Sequence, residues 1–262
     1  PGEETQYHYL TYAWLTCGIM EAITGRPYEE YLHELIVEPL MLDDLHIGGL
    51  PSHVDNEELA VLSVSKPPAQ AAAAAAAAEQ QKKEQEQNPA ATSQPEKAKA
   101  QKATGKSVLA KYRGKEHLLN PSIFNMRKVR EAKLPSANGH ASATALATVF
   151  DALIMDDTEH RPNLLSKDTL QKARTKQIPS KAPSSNSALI NSQVLQDSSA
   201  GFGLGLQIHE FALSDGVKGR RTVCSIGHAG FGGSLVVAIP ELKLSVAFTT
   251  NMLSSKSRVR NT

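Results

Sequence analysis

Between Gly201 and Thr250 the chain reads as a succession of short apolar runs closed by glycine or proline, and this limits the fold more than any other feature. Gly201 to His209 reads as one strand and Arg221 to Ile226 as a second. Ser234 to Ile239 and Leu244 to Thr250 then form a hairpin around Pro240-Glu-Leu-Lys243. Consecutive strands with such short connections pair antiparallel, and their sheet must bury at least one face. The covering elements come earlier in the chain. Leu10, Ala13, Trp14, Cys17, Met20 and Ile23 repeat at helical spacing up to the stop signal Gly25 and Pro27. Tyr28, Tyr31, Leu32, Leu35 and Ile36 mark a second helix, ended by Pro39, with Glu29 and Glu30 in its first turn. A third places Leu146, Val149, Phe150, Leu153 and Ile154 on one stripe behind Ser142 as N-cap, and Ser166 caps a short fourth through Leu170 and Ala173. Helices followed by antiparallel strands predict an α+β fold.

One segment stands apart. From Pro67 the composition turns to eight consecutive alanines (Ala71 to Ala78), then to glutamine, lysine and glutamate. Nothing there repays the entropy of ordering, so the sequence predicts a low-complexity insert over 67–117. It divides one domain into a helical part, 1–66, and a part over 118–262 carrying the remaining helices and the strands. Ser180 to Ser199 is a second polar stretch and reads as a loop.

Charge and cysteine usage exclude several functions. Lys and Arg number 28 against 27 Asp and Glu, for a formal charge of +1, so there is no basic excess for nucleic acid. Cys17 and Cys224 sit within apolar patterns and make no disulfide framework; they read as buried thiols. Histidine, cysteine and carboxylate spacing suggests no metal site, and no apolar run approaches a membrane span. No signal peptide is visible at Pro1-Gly2-Glu3, and both chain ends read as cut edges. Localisation and oligomeric state are left open.

Three pieces carry chemistry. They are Pro1-Gly2 through Tyr7-His8-Tyr9 to Tyr12, Thr24-Gly25-Arg-Pro-Tyr28 running to Pro39-Leu40, and Gly227-His228-Ala229-Gly230 followed by Gly232-Gly233-Ser234 and Asn251. In this order they resemble the serine β-lactamase and penicillin-binding-protein-like family, in its class C and esterase-like branch, with Gly201-Phe-Gly-Leu-Gly205 similar to the strand leading to the family's H-x-G motif. Tyr7-His-Tyr9-Leu followed by Trp14 looks most like a eukaryotic subgroup whose domain lies downstream of an aarF-type atypical kinase domain. The resemblance implies a β-lactamase/transpeptidase-like fold, incomplete at both ends, with an unpaired sheet edge and a partly uncovered apolar face.

It also implies roles. Tyr7 is the phenol that relays the nucleophile's proton, and with a reference pKa of ~10 it needs a neighbouring cation to ionise. His228 stands where penicillin-binding proteins have lysine, able to donate to a substrate carboxylate or to Tyr7. Gly230, beside Ala229, lets substrate lie along the strand, and the N–H of Phe231 is half of an oxyanion hole. The substrate is a small ester or amide, with no cofactor. Two departures matter. The family asparagine of Y-x-N, which holds the substrate amide, is Tyr9 here. The S-x-x-K helix that carries serine nucleophile and lysine should precede Tyr7; Ser63-Val-Ser-Lys66 matches by letter but follows it and abuts Pro67-Pro68. The chain alone is therefore expected to be inactive, and a non-catalytic binding or scaffolding module is the alternative. The plainer reading of Tyr7 is a core aromatic, and that of the other histidines is surface or satisfied core. Gly201, Gly203 and Gly205 do not fit a phosphate loop, because no helix follows them.

Overall fold

Thr24-Gly25 ends the first helix through local chemistry. In the computed structural model, residues 8, 10–65, 120–156, 162–177, 200–214, 220–230 and 232–254 are described. Helix α1 spans Tyr12–Thr24 and closes on Gly25, whose φ of 69° is left-handed. The Thr24 hydroxyl donates to the Met20 carbonyl at 2.8 Å and accepts from the Arg26 N–H at 3.3 Å. Helix α2, Tyr28–Leu32, passes into a wider π-helical turn over His33–Val37 instead of continuing as α-helix. Pro39 follows, and it lacks the N–H that another α-turn would need.

Short elements then tie the helical part together: β1 (Leu45–His46), β2 (Ser63–Val64), α3 (Arg127–Arg130) and β3 (His140–Ala141). β1 pairs antiparallel with β3, setting His46 opposite His140. Leu42, Leu45 and Ala145 are buried together, with Ile36, Val37, Leu40, Leu146 and Val149 packed around them. Tyr28 is buried beside this core and its hydroxyl donates to the Gly48 carbonyl at 3.0 Å. Gly48 has φ +80°, and a Cβ there would lie 1.9 Å from the Tyr28 oxygen, so only glycine fits.

The predicted caps are present. α4, Ala143–Ile154, begins where Ser142 accepts from the Ala145 N–H at 2.9 Å. α5, Lys167–Ala173, begins where Ser166 accepts from Thr169 at 3.2 Å.

The predicted single strand from Gly201 to His209 is two strands, β4 (Ala200–Phe202) and β5 (Gln207–Ser214), folded back on each other. The glycines that read as relief within a strand form its turn, with Gly205 at φ +75°. This hairpin rests on the end of α5: Leu204 N–H donates to Ala173 O at 3.1 Å and Gln177 N–H to Phe202 O at 2.7 Å. β6 (Arg220–Ala229) outlasts the expected Arg221 to Ile226, so His228 and Ala229 are strand residues. β7 (Leu235–Ile239) and β8 (Leu244–Phe248) complete an antiparallel sheet of order β4-β5-β6-β7-β8. β9, Met252–Leu253, runs parallel to β2.

Helix α4 packs across β7 and β8, where Ser245 Oγ donates to Ala147 O at 3.0 Å. Ile208, Val223, Ile226 and Ala238 are fully or almost fully buried in the sheet, and each large side chain among them is worth about 1.5–3 kcal/mol. The opposite face of β8 is bare: Leu244, Val246 and Phe248 are 43%, 47% and 49% exposed. Among the described residues β8 has no strand on its outer side. Helix α1 buries none of its residues fully, so the Trp14 and Ile23 positions of its predicted stripe are exposed.

The region expected to be an insert and the stretch Ser180 to Ser199 lie outside the described residues.

Candidate functional site

The site is built on the end of β6. In the ladder with β7, His228 stands opposite Val236 and Ala229 opposite Leu235. On the other side the pairing with β5 stops at Gln207 opposite Gly227, so His228 and Ala229 run past the beginning of β5. The His228 ring is half-buried, 6.5 Å from the Phe202 ring at an interplanar angle of 59°. Burial holds the imidazole below its ordinary pKa, against a smaller opposing effect of the Ala229 backbone. His228 is therefore neutral at physiological pH, with one ring N–H donor and one acceptor nitrogen in place of the fixed charge of a lysine.

The glycines around it divide into two kinds. A Cβ on Gly227 would lie 2.1 Å from Val236 O and 2.9 Å from Val237 Cα, so this glycine lets β7 approach. One on Gly232, at φ +95°, would strike Leu253 at 2.6 Å. Both are demanded by packing within the chain. Gly230 is exposed, has no positive φ, and its nearest neighbour would be Ser234 O at 3.5 Å, an ordinary contact. Among the described residues, none packs closely enough to require glycine at 230.

The turn after Gly230 is tied down from several directions. Gly230 N–H donates to Ser234 O at 2.8 Å and Thr250 N–H to Ser234 Oγ at 3.1 Å. Ser254 N–H donates to Gly232 O at 3.0 Å. Ala229 N–H donates to the carboxamide oxygen of Gln207 at 2.9 Å, and Gln207 is 3% exposed. Sequence reasoning missed Gln207. A polar residue after a glycine-rich run carries no signal that it will be buried against a strand two positions past its own partner.

Of the predicted site residues, the structure brings His228, Ala229 and Gly230 together on one strand end; Tyr7, Tyr9 and Phe231 lie outside the described residues. Thr24-Gly25 serves as a helix stop, and exposed Asn251 donates from Nδ2 to Val61 O at 3.1 Å. Ser63 and Ser65 are on or next to β2, where their N–H groups donate to Asn251 O and Leu253 O, each at 2.8 Å. That extended setting is not the helix N-terminus that activates an S-x-x-K serine, and Lys66 is outside the described residues. Cys17 and Cys224 are free thiols, half-buried rather than fully buried as expected; burial, with Glu21 adding to it, pushes the Cys17 thiol up. Among the described residues no cluster of His, Cys, Asp and Glu is placed to hold a metal, and no helix is long and apolar enough to cross a membrane.

A helical part packed on an antiparallel sheet, with an H-x-G strand end at its rim, defines a protein of the β-lactamase/transpeptidase-like class. Comparison with known proteins gives the family itself: a family model described as Beta-lactamase matches residues 1–262, and the chain belongs to that family. It is 25% identical over 259 residues to an esterase/beta-lactamase, LipL, of Mycobacterium tuberculosis, covering 96% of this chain and 49% of that protein. Solved structures share the fold. A penicillin-binding protein homolog from Caulobacter crescentus superposes with TM-score 0.58 at 24% identity, over 97% of this chain and 55% of that one. EstA from Arthrobacter nitroguajacolicus Rue61a gives 0.62 at 19%, over 100% and 57%, and a family VIII carboxylesterase 0.63 at 17%, over 98% and 55%. The chain thus spans about half the length of the relatives it matches.

Proposed function

We propose that this chain supplies one wall of an acyl-serine hydrolase site, and that the intact protein cleaves a small ester or amide. The observation that carries this reading is Gly230, a glycine that no described residue crowds, beside a half-buried His228. A strand edge kept clear in this way suits a flat acyl group lying against it. In this reading His228 donates one hydrogen bond to the substrate or to Tyr7. Tyr7 relays the nucleophile's proton, and the Phe231 N–H, with the nucleophile's own N–H, holds the tetrahedral oxyanion. Ala229 and Tyr9 line the substrate; Tyr9, in place of asparagine, leaves the amide-holding role unfilled and tilts the preference towards esters. In this reading the serine nucleophile and its lysine lie outside this chain, which spans about half the length of the relatives it matches. Ser63 is not that nucleophile, because its neighbours hold it in a strand. By itself the chain is inactive.

The test is a fluorophosphonate label on the full protein that carries this chain. Labelling of a serine upstream of Tyr7 is expected, with none on the chain alone. Tyr7→Phe should lower ester hydrolysis by about 100-fold or more, the usual worth of a positioned proton relay. An intact S-x-x-K protein that takes up no label, with ester hydrolysis unchanged by Tyr7→Phe, overturns the reading. The Tyr9 departure favours a second reading, a binding module without catalysis. A partner retained by a full protein that lacks S-x-x-K would establish it, and the atypical kinase domain implied by Tyr7-His-Tyr9-Leu and Trp14 is the first partner to try.

A further inference from the structure

Gln207 has no part in the roles assigned above, yet it is a nearly fully buried polar side chain at the rim of the site. Its position explains what it does. N–H groups of successive strand residues point to opposite edges. Gly230 N–H faces Ser234 on the β7 side, so Ala229 N–H faces the other side, beyond the first residue of β5, where the chain is turning from β4 and no longer pairs with β6. A donor in that position would be open to any extended chain that came alongside β6. Instead it is taken, at 2.9 Å, by the Gln207 carboxamide oxygen. That oxygen stands where the carbonyl of an added strand or of an amide-bearing acyl chain would stand.

We infer that Gln207 is a specificity-determining residue that caps the end of β6 where it runs past β5, excluding acyl groups that need a main-chain hydrogen bond at Ala229 and leaving the site to compact acyl groups. The inference rests on the hydrolase reading and adds a substrate class to it. Strand addition obtains affinity from backbone donors such as this one, so filling the donor internally removes that source of affinity. One hydrogen bond in a partly buried site is worth about 0.5–1.5 kcal/mol, or roughly 2–10-fold in relative kcat/KM.

The test uses the full protein that carries this chain and two esters with one leaving group, p-nitrophenyl butanoate and the p-nitrophenyl ester of N-acetylglycine. The second has an amide carbonyl for Ala229 N–H; the first does not. Gln207→Ala should raise the kcat/KM ratio of the N-acetylglycine ester to the butanoate about 2–10-fold and speed deuterium exchange in a peptide covering 226–230. Gln207→Glu keeps an acceptor oxygen and should hold both readouts at the wild-type level. An unchanged ratio, or unchanged exchange, in a folded Gln207→Ala protein overturns the inference. If the wild-type protein turns over neither ester, the hydrolase reading fails separately. The edge is then read from N-acetylglycinamide binding: affinity gained by Gln207→Ala upholds the closure, and no gain overturns it.

Discussion

Gly227 and Gly230 sit three positions apart around one histidine and are glycine for different reasons, which makes them the sharpest test at the scale of single residues. Gly227→Ala must push against the backbone of β7 and should destabilise the full protein by about 1–3 kcal/mol in urea unfolding. Gly230→Ala should stay within about 0.5 kcal/mol of wild type, because a methyl there meets only ordinary contacts with Ser234 among the described residues, and on the proposed hydrolase reading it should lower kcat/KM for an ester. Equal stability losses at both positions would remove the argument for Gly230. Histidines also set a pH dependence. His46 and His140 face each other across β1 and β3, and burial lowers both pKa values. Arg130 and His46 add to the effect at His140 while the Asn138 backbone opposes it; His53 adds at His46 and Asp44 opposes. Their folded pKa values lie below the unfolded value of ~6.5, so the unfolded chain binds protons first as pH falls. The stability they contribute is present above pH ~6.5 and lost as pH falls from there through the folded pKa values. Chemical denaturation of the full protein at pH 7 and pH 5 should give lower stability at pH 5, with a smaller difference in His140→Phe.

At the scale of elements, hydrogen bonds hold together the two chain segments that flank 66–119. Asn125 accepts from Leu62 N–H at 2.8 Å and donates to Leu62 O at 2.9 Å. Arg130, 2% exposed, donates from Nη2 to Ala60 O at 3.1 Å and from Nε to Phe124 O at 3.0 Å. These bonds join the two stems to each other directly. Replacing 67–117 by a short Gly-Ser linker should therefore leave the Tm of the full protein within a few degrees of wild type. Asn125→Ala, which leaves the part-buried N–H and carbonyl of Leu62 without these partners, should cost about 1–3 kcal/mol. A linker variant that fails to fold would show that the stems depend on the segment they flank. The helices and caps were legible because Ser142, Ser166 and Gly25 act within a few residues of themselves. The β4–β5 hairpin was not, because Gly203 turns against Ala173, a residue far from it in sequence. The widening of α2 into a π-turn was likewise unannounced by its apolar stripe.

At the scale of the whole molecule, the described residues leave apolar surface exposed on two sides. Besides the outer face of β8, helix α1 exposes Leu15, Ile19 and Ile23 at 58%, 61% and 79%. An edge strand with a bare apolar face is prone to pair with other chains, and surface of this kind is normally covered. The isolated chain 1–262 should therefore aggregate or give a broad thermal transition in calorimetry and size-exclusion chromatography, whereas a sharp melt of a monomer would contradict it. By itself the sequence determined the α+β class, the helix caps, the final hairpin and the family, since periodicity, turn residues and short motifs are all written locally. It also marked His228-Ala-Gly230 as the stretch to watch. Only the tertiary structure decided which glycines answer to packing and which to open space, because that depends on how closely β7 and Leu253 approach. The lowered pKa of His228 was decided there too, since it follows from burial, and so was the bond of Gln207 to Ala229, a partner across the sheet where no local pattern reaches.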